Sequence, residues 1–263
     1  MTALLYREHD PPPALAARVE CLWTMRSDGA LSAPAVNRVL PDGCIDLIFD
    51  FGETAEGAPR SAPRGYAVGA MTRAVPVQVA GRVEIVGVRF RPGGAALGMP
   101  AGELTDLDAG LDELGLGSLC APVLDAGSAL AAVPVLAELL AARFRDAPEP
   151  IAAAAWARLR STAGALPVRE LAAQLGVGER RLQRIFHEHV GLTPKQAARV
   201  ARLNAAIALM ASAELPLGRV ALRAGYYDQA HFNHEFARLA SVAPHVWRAE
   251  RVASVQATAA GAP

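Results

Sequence analysis

The chain has 263 residues, 52% of them hydrophobic and 20% charged, and its formal net charge is zero. That length suits one large or two ordinary domains, and the composition suits a globular chain rather than a disordered one. Cys21, Cys44 and Cys120 are odd in number and form no CxxC pair, which argues against a disulfide framework or a zinc site; no metal, cofactor or catalytic residue is expected. No apolar run reaches membrane-spanning length and the first residues lack a signal-peptide layout, so the expectation is a soluble cytoplasmic protein with no membrane partner.

The zero net charge conceals an asymmetry. Residues 161–251 carry 12 Lys+Arg against 7 Asp+Glu, which leaves 14 basic and 19 acidic residues elsewhere. Five of the six histidines also lie in the C-terminal part. A basic segment beside an acidic one points to a nucleic-acid face on one domain only.

In chain order, residues 1–13 end in Asp10-Pro-Pro-Pro13, which no helix can occupy to its end. Leu15 to Met25 leads into a strand containing Trp23. Asn37–Leu40 and Cys44–Phe51 flank Pro41-Asp42-Gly43, a turn in which Pro sets φ, Asp bonds locally and Gly accepts positive φ. The run from Cys44 to Phe51 is mostly apolar, as in a strand buried on both faces. Residues 53–64 read as a loop. Tyr66–Ala70, Val75–Val79 and Val83–Phe90 continue the β pattern, with turns at Gly81-Arg82 and Arg91-Pro-Gly-Gly94. From 109 to 160 the period becomes helical, with Leu130, Val133, Leu136, Leu140 and Phe144 as one stripe. Asp146-Ala-Pro-Glu-Pro150 interrupts it before a helix over Ile151–Arg160.

The last third repeats a pattern. Pro167 opens a short helix with Leu171 and Leu175 inward, Gly176-Val177-Gly178 turns, and a second helix runs from about Glu179 to His189. Leu182, Ile185, Phe186 and Val190 make its buried stripe, while Arg180, Gln183, Arg184 and His187 lie along one outer line. Arg can bond guanine bidentately and Gln can do the same with adenine. Thr193, Pro194 and Gln196 form a capping box that starts a helix running to about Ser212, which buries Val200, Leu203, Ile207 and Met210. A second unit follows, with Val220 and Leu222 in its first helix, Gly225 at the turn and Tyr226 buried below it. Asp228 caps its second helix, where Phe232, Phe236 and Leu239 point inward and Gln229, Ala230, Asn233 and His234 outward. Ala230 can meet a thymine methyl. Trp247 packs under the last helix. Arg181 and His231 complete the candidate DNA-contacting set.

Residues 161–251 resemble the DNA-binding domain of AraC/XylS-type transcription regulators. The resemblance rests on Leu171-Ala-Ala-Gln-Leu-Gly-Val, Leu182-Gln-Arg-Ile-Phe186, Gly191-Leu-Thr-Pro194, Arg202-Leu-Asn-Ala-Ala206 and Ala224-Gly-Tyr-Tyr-Asp-Gln-Ala-His-Phe232. It implies base contacts from Arg180, Gln183 and Arg184, then from Gln229, Ala230, Asn233 and His234. The chain departs from the family pattern at Gly178 (usually a Ser N-cap), Ala197 (usually aromatic), His234 (often Arg), and Ser241 and Ala243 (usually Gly and Ser/Thr). Cys21-Leu-Trp23, Leu40-Pro-Asp-Gly-Cys-Ile-Asp-Leu-Ile-Phe49 and Val86-Gly-Val-Arg-Phe-Arg-Pro-Gly-Gly94 resemble an N-terminal domain of unassigned function often found before that DNA-binding domain. This second resemblance implies a sensor or dimerisation role.

The expected fold is therefore α+β. It comprises a mainly-β N-terminal domain at 1–108, a helical connector at 109–160, an all-α domain with two helix-turn-helix units at 161–251, and a disordered tail at 252–263. The expected function is a sequence-specific, nucleoid-associated transcription regulator and not an enzyme. Its expected partners are double-stranded promoter or operator DNA, RNA polymerase, a small-molecule effector and a second copy of itself. Two alternatives stand beside it: a cysteine-based DNA repair enzyme fused to a regulator, and an architectural DNA-binding protein. Asp42 and Asp46 read more readily as a turn aspartate and a hydrogen-bonded strand aspartate than as pocket residues. Arg89 and Arg91 read as charges flanking a β-turn, and Cys44 as a buried, inert thiol.

Overall fold

The computed structural model describes residues 4–250 except 55–56, 59–63 and 213–214; the tail expected at 252–263 lies outside the described residues. An antiparallel sheet of six strands opens the chain: β1 (Leu4–His9), β2 (Val19–Val39), β3 (Ile45–Asp50), β4 (Gly65–Val68), β5 (Val75–Phe90) and β6 (Asp108–Gly110), in the order β1-β2-β5-β3-β4-β6. Period-two alternation sorts its side chains onto two faces. Leu22, Leu47, Phe49, Val86, Val88 and Phe90 point to the main core, whereas Cys21, Trp23, Val79, Val83 and Ile85 form a smaller cluster on the other side.

The sheet differs from the sequence-based expectation in three places. The entry segment before the prolines is itself a strand, β1, paired along Leu22–Ser27 of β2. The segments expected around Trp23 and at Asn37–Leu40 belong to a single 21-residue strand, β2, up to Val39. Val75–Val79 and Val83–Phe90 are likewise one strand, β5, with no turn at Gly81-Arg82. β2 accommodates the join with register shifts between Arg26 and Ala30 and between Leu31 and Ala35, opposite Glu84 to Val79. Bulges of this kind bend a strand while keeping its ladder, so the glycine expected to reverse the chain sits at a bend instead, at φ +65°.

Helices α1 (Cys120–Leu124), α2 (Ala129–Arg143) and α3 (Pro150–Ser161) follow. The buried line of α2 is Ala129, Ala132, Leu136 and Leu140, with Phe144 beyond its end; Leu130, expected in the stripe, is 58% exposed. Ser128 caps α2, its side chain accepting from the Ala131 N–H at 3.3 Å. The remaining helices are α4 (Val168–Gln174), α5 (Glu179–His189), α6 (Pro194–Ser212), α7 (Leu217–Arg223) and α8 (Gln229–Ala240), with a further helical stretch at 244–250. No helix among the described residues is long and apolar enough to cross a membrane.

One continuous core runs from the sheet through α1–α3 into α4, α5 and the first half of α6, ending at Val200 and Ala201. A second, smaller core begins on α6 at Leu203 and holds α7, α8 and Trp247. Ala197, standing where the family has an aromatic, is fully buried in the larger core.

Candidate nucleic-acid interface

The two helix-turn-helix units are built alike. Each opens after a proline in extended conformation, Pro167 (ψ 141°) or Pro216 (ψ 141°), and each has a seven-residue first helix. Pro167 therefore occupies the N-cap of α4 rather than its first helical position. A glycine in the left-handed region makes each turn, Gly176 (φ +67°) and Gly225 (φ +82°). Below each turn one backbone N–H reaches back five residues, Val177 to the Ala172 carbonyl at 3.0 Å and Tyr226 to Ala221 at 2.9 Å. The second turn then holds one more residue than the first, Tyr227, which is 87% exposed. This places Arg180 opposite Ala230, Arg181 opposite His231, Gln183 opposite Asn233 and Arg184 opposite His234.

All ten candidate contact residues are exposed: Arg180, Arg181, Gln183, Arg184 and His187 on α5, and Gln229, Ala230, His231, Asn233 and His234 on α8. Leu182, Ile185 and Phe186 anchor the inner face of α5, and Phe232, Phe236 and Leu239 that of α8. Tyr226 packs on Phe232 at 5.1 Å and Phe236 on Trp247 at 6.2 Å between ring centroids. Leu222 of α7 is not part of this packing, being 62% exposed.

The ten are not equally free to meet a partner. The side chains of Arg180, Arg181, Gln183, Asn233 and His234 make no hydrogen bond or ion pair among the described residues. Arg184 lies 3.8 Å from Glu188 on its own helix. His231 is tied to the turn: its ring nitrogen Nδ1 takes the Tyr227 N–H at 3.3 Å, and its own backbone N–H is bound by Asp228 at 2.7 Å. His187 faces the N-terminal domain, 3.6 Å from Glu103.

That last contact belongs to a docking surface that residue patterns did not announce. A short 3-10 turn, Ala101–Leu104, lies against the end of α5. A Cβ at Gly102 would stand 2.0 Å from the His187 ring, so only glycine admits this approach. Thr105 Oγ1 donates to the Gly191 carbonyl. On the second unit, the Ala74 N–H donates to the Leu239 carbonyl at 2.6 Å, and Arg38 pairs with Glu250 at 2.6 Å. The Pro41-Asp42-Gly43 turn also docks: Asn204 of α6 donates to the Pro41 carbonyl at 3.3 Å, and the Trp156 ring of α3 packs closely against Gly43. The glycines and the proline turn were the available signals, but nothing local says what they meet.

Helix ends follow the sequence closely. Thr193 and Gln196 make the expected capping box, the Thr193 N–H donating to Gln196 Oε1 at 2.8 Å and the Gln196 N–H to Thr193 Oγ1 at 3.2 Å. Asp228 caps α8, whereas Gly178 leaves α5 without a side-chain cap. Ser241 takes the left-handed conformation (φ 59°) that explains why glycine is usual there.

In the N-terminal domain, Asp42 Oδ1 accepts the Cys44 N–H at 2.8 Å, an Asx-type turn. Trp23 Nε1 donates to Asp46 Oδ1 at 2.8 Å, and Arg89 lies 3.4 Å from both Asp42 and Asp46. Burial pushes the Asp46 carboxyl up to about 6, against the opposing pull of Arg89 and the Trp23 hydrogen bond. Arg91 is held by Glu20 and the Ala16 carbonyl. Burial raises all three thiols, Cys21 to about 11, Cys44 well above its ordinary value, and Cys120 in the same direction. A nucleophilic cysteine needs the opposite shift.

Residues 171–250 match the family described as a helix-turn-helix domain, and residues 7–109 match a domain of unknown function, DUF6597. The chain is 33% identical over 72 residues to the HTH-type transcriptional activator RhaR of Cronobacter sakazakii, covering 27% of this chain and 25% of that protein. It is 35% identical over 92 residues to the "Probable bifunctional transcriptional activator/DNA repair enzyme AlkA" of Mycobacterium tuberculosis, covering 35% and 18%. Among solved structures, a transcriptional regulator from Chromobacterium violaceum, an AraC-type DNA-binding domain-containing protein, aligns at 24% identity and a TM-score of 0.37, over 39% of this chain and 92% of its own.

The C-terminal part, over residues 171–250, is a helix-turn-helix domain. Within it, α5 and α8 are the second helices of the two units, and α6 joins them. The chain spans a quarter or less of the length of the curated relatives it matches.

Proposed function

We propose that the chain is a sequence-specific DNA-binding transcription regulator that reads two successive major grooves with α5 and α8. The observation that carries this reading is the pair of outward polar faces, one on each second helix, held by the single unbroken helix α6. Its 19 residues make a strut of about 28 Å at 1.5 Å per residue, comparable with one turn of DNA, about 34 Å. Arg180, Gln183 and Arg184 supply charge and guanine or adenine bonding in one groove. Asn233 and His234 supply hydrogen bonds, and Ala230 an apolar contact, in the other. Gln229 and His231 stand at the start of α8 and Arg181 at the border of α5, where phosphate oxygens lie, while His187 is turned to Glu103 of the N-terminal domain. RNA polymerase, a second copy of the chain and a small effector are the partners this reading brings with it, the effector acting through the N-terminal domain docked on both units.

The repair-enzyme alternative lacks an activated thiol, and an architectural role leaves the Gln183 and Asn233 faces without a purpose. The test is selection of bound sequences from a random DNA pool with the full chain, followed by footprinting on the selected site. The expected footprint covers two major grooves on one face of the duplex, and the site-to-random affinity ratio stays large as salt rises. A footprint confined to one groove, or equal affinity for all sequences, overturns the reading.

A further inference from the structure

A cleft of about 480 Å³ opens where three parts of the protein meet. One wall is the segment after β5, with Leu97 and Met99; another is the link between α2 and α3, with Pro148; the third is the last turn of α5, with Glu188 and His189. Its size is that of sites for small organic molecules, roughly 300–1,000 Å³. The position matters because an occupant touches the N-terminal domain and the first recognition helix at once.

Arg18 also lines the cleft and is only 7% exposed. Its Nε and Nη2 donate to the Asp146 carbonyl at 3.0 and 2.8 Å, and its Nη1 to the Gly94 carbonyl at 2.7 Å. The guanidinium carbon lies 5.5 Å from the centre of the Phe144 ring. Every one of these partners is neutral, and no carboxylate lies within ion-pair distance among the described residues. A guanidinium has five N–H groups, so one on each terminal nitrogen is uncommitted. Burial holds the pKa of Arg18 below its ordinary value, against the weaker pull of the Asp146 carboxylate. The acidic residues of the cleft are occupied elsewhere. Glu149 accepts the Ile151 N–H at 3.3 Å to cap α3, and Glu188 is shared between Arg184 at 3.8 Å and His189 at 3.9 Å.

We propose that this cleft binds a small organic monocarboxylate with an apolar body, the carboxylate bonding the free N–H groups of Arg18 and the body lying against Leu97, Met99 and Pro148. A buried, geometrically fixed guanidinium recognises a carboxylate better than any other group in the cleft. The occupant bridges the walls and so favours the arrangement in which α5 is docked on the N-terminal domain. That regulatory consequence rests on the DNA-binding reading above; the site does not.

The test is calorimetric titration of the full chain, without DNA, using phenylacetate and indole-3-acetate, each beside its own primary amide. At least one acid binds, and its amide binds at least about tenfold more weakly, a difference of about 1.4 kcal/mol. Ala96→Trp fills the cleft from an exposed position and abolishes the heat, while Arg18→Gln brings acid and amide to the same affinity. Should Arg18→Gln fail to fold, the Ala96→Trp titration and the acid–amide difference in the native chain still decide. Equal binding of acid and amide, binding unaffected by Ala96→Trp, or no heat from either acid at any soluble concentration overturns the proposal. A chain that binds the acid but no DNA sequence sinks the regulator reading and leaves the site standing.

Discussion

Phe186 and Phe236 hold equivalent places in α5 and α8, and both are fully buried, but they are buried in different bodies. Phe186 shares its core with the sheet, the connector and half of α6. Phe236 belongs to a cluster drawn from the rest of α6, α7, α8 and Trp247, with Leu40 as the one apolar side chain of the N-terminal domain packed on it among the described residues. The charges differ in parallel: the first unit offers Arg180, Arg181 and Arg184, where the second has Ala230, His231 and His234. Two copies of one motif have thus taken different duties. The first is anchored and charged; the second is lightly held and presents hydrogen-bonding groups in place of arginines. Local sequence similarity between repeats says little about how firmly each is held, because anchoring comes from what packs outside the motif.

The largest effect expected is on packing. Phe186→Ala and Phe236→Ala each cost about 3–5 kcal/mol, but at different places. Hydrogen exchange should show Phe236→Ala opening α7 and α8 alone, while Phe186→Ala lowers protection in the sheet as well. Equal loss in the sheet for both variants would erase the distinction between the bodies. Next comes recognition. Arg184→Ala weakens specific binding by roughly 1–3 kcal/mol and relaxes base preference in one half-site. Asn233→Ala changes base preference in the other half-site and leaves the salt dependence of binding as it was, since no charge is lost. Titrations against single-base variants at two salt concentrations check both; a uniform loss across all sequences for Arg184→Ala would make it a phosphate contact.

Smaller effects concern helix ends. Asp228→Ala removes the cap of α8 and costs about 1 kcal/mol, read by denaturant unfolding and by faster exchange at the start of that helix. Ser241→Gly relieves a left-handed serine and gains about 0.5 kcal/mol. Gly178→Ser gives α5 the cap it lacks, for a gain of a few tenths of a kcal/mol. If Gly178→Ser proved as strong as the loss of Asp228, the first unit would be less well anchored than its core indicates.

The helices of the DNA-binding part were legible in the sequence almost to the residue. α5 spans Glu179–His189 as its periodicity demands, and the Thr193–Gln196 box and the Asp228 cap are local chemistry that neighbouring residues complete. Long strands were less legible. β2 and β5 cross Ser27–Ala35 and Gly81 by bulges whose register is set by the partner strand, so turn-forming residues there misled. Leu130 failed because an amphipathic pattern with many alanines admits more than one inner face, and Ala129 and Ala132 took it. The approach of Gly102 to His187 and of Gly43 to Trp156 joins residues distant in sequence, and no window along one chain contains both partners. The outward faces of α5 and α8 were legible; the occupation of their ends by the N-terminal domain was not.

The division of α6 between two cores has a consequence for how the protein is made. The chain leaves the ribosome N-terminus first, at about 5–20 residues per second. The sheet and connector alone cannot close their shared core, because Phe186, Val190, Val200 and Ala201 form part of it. Until residue 201 has emerged, the nascent protein carries an open apolar seam. Nascent-chain folding of the N-terminal domain is therefore finished by the first helix-turn-helix unit, and a stop codon between 161 and 201 releases a body with an unfinished interior.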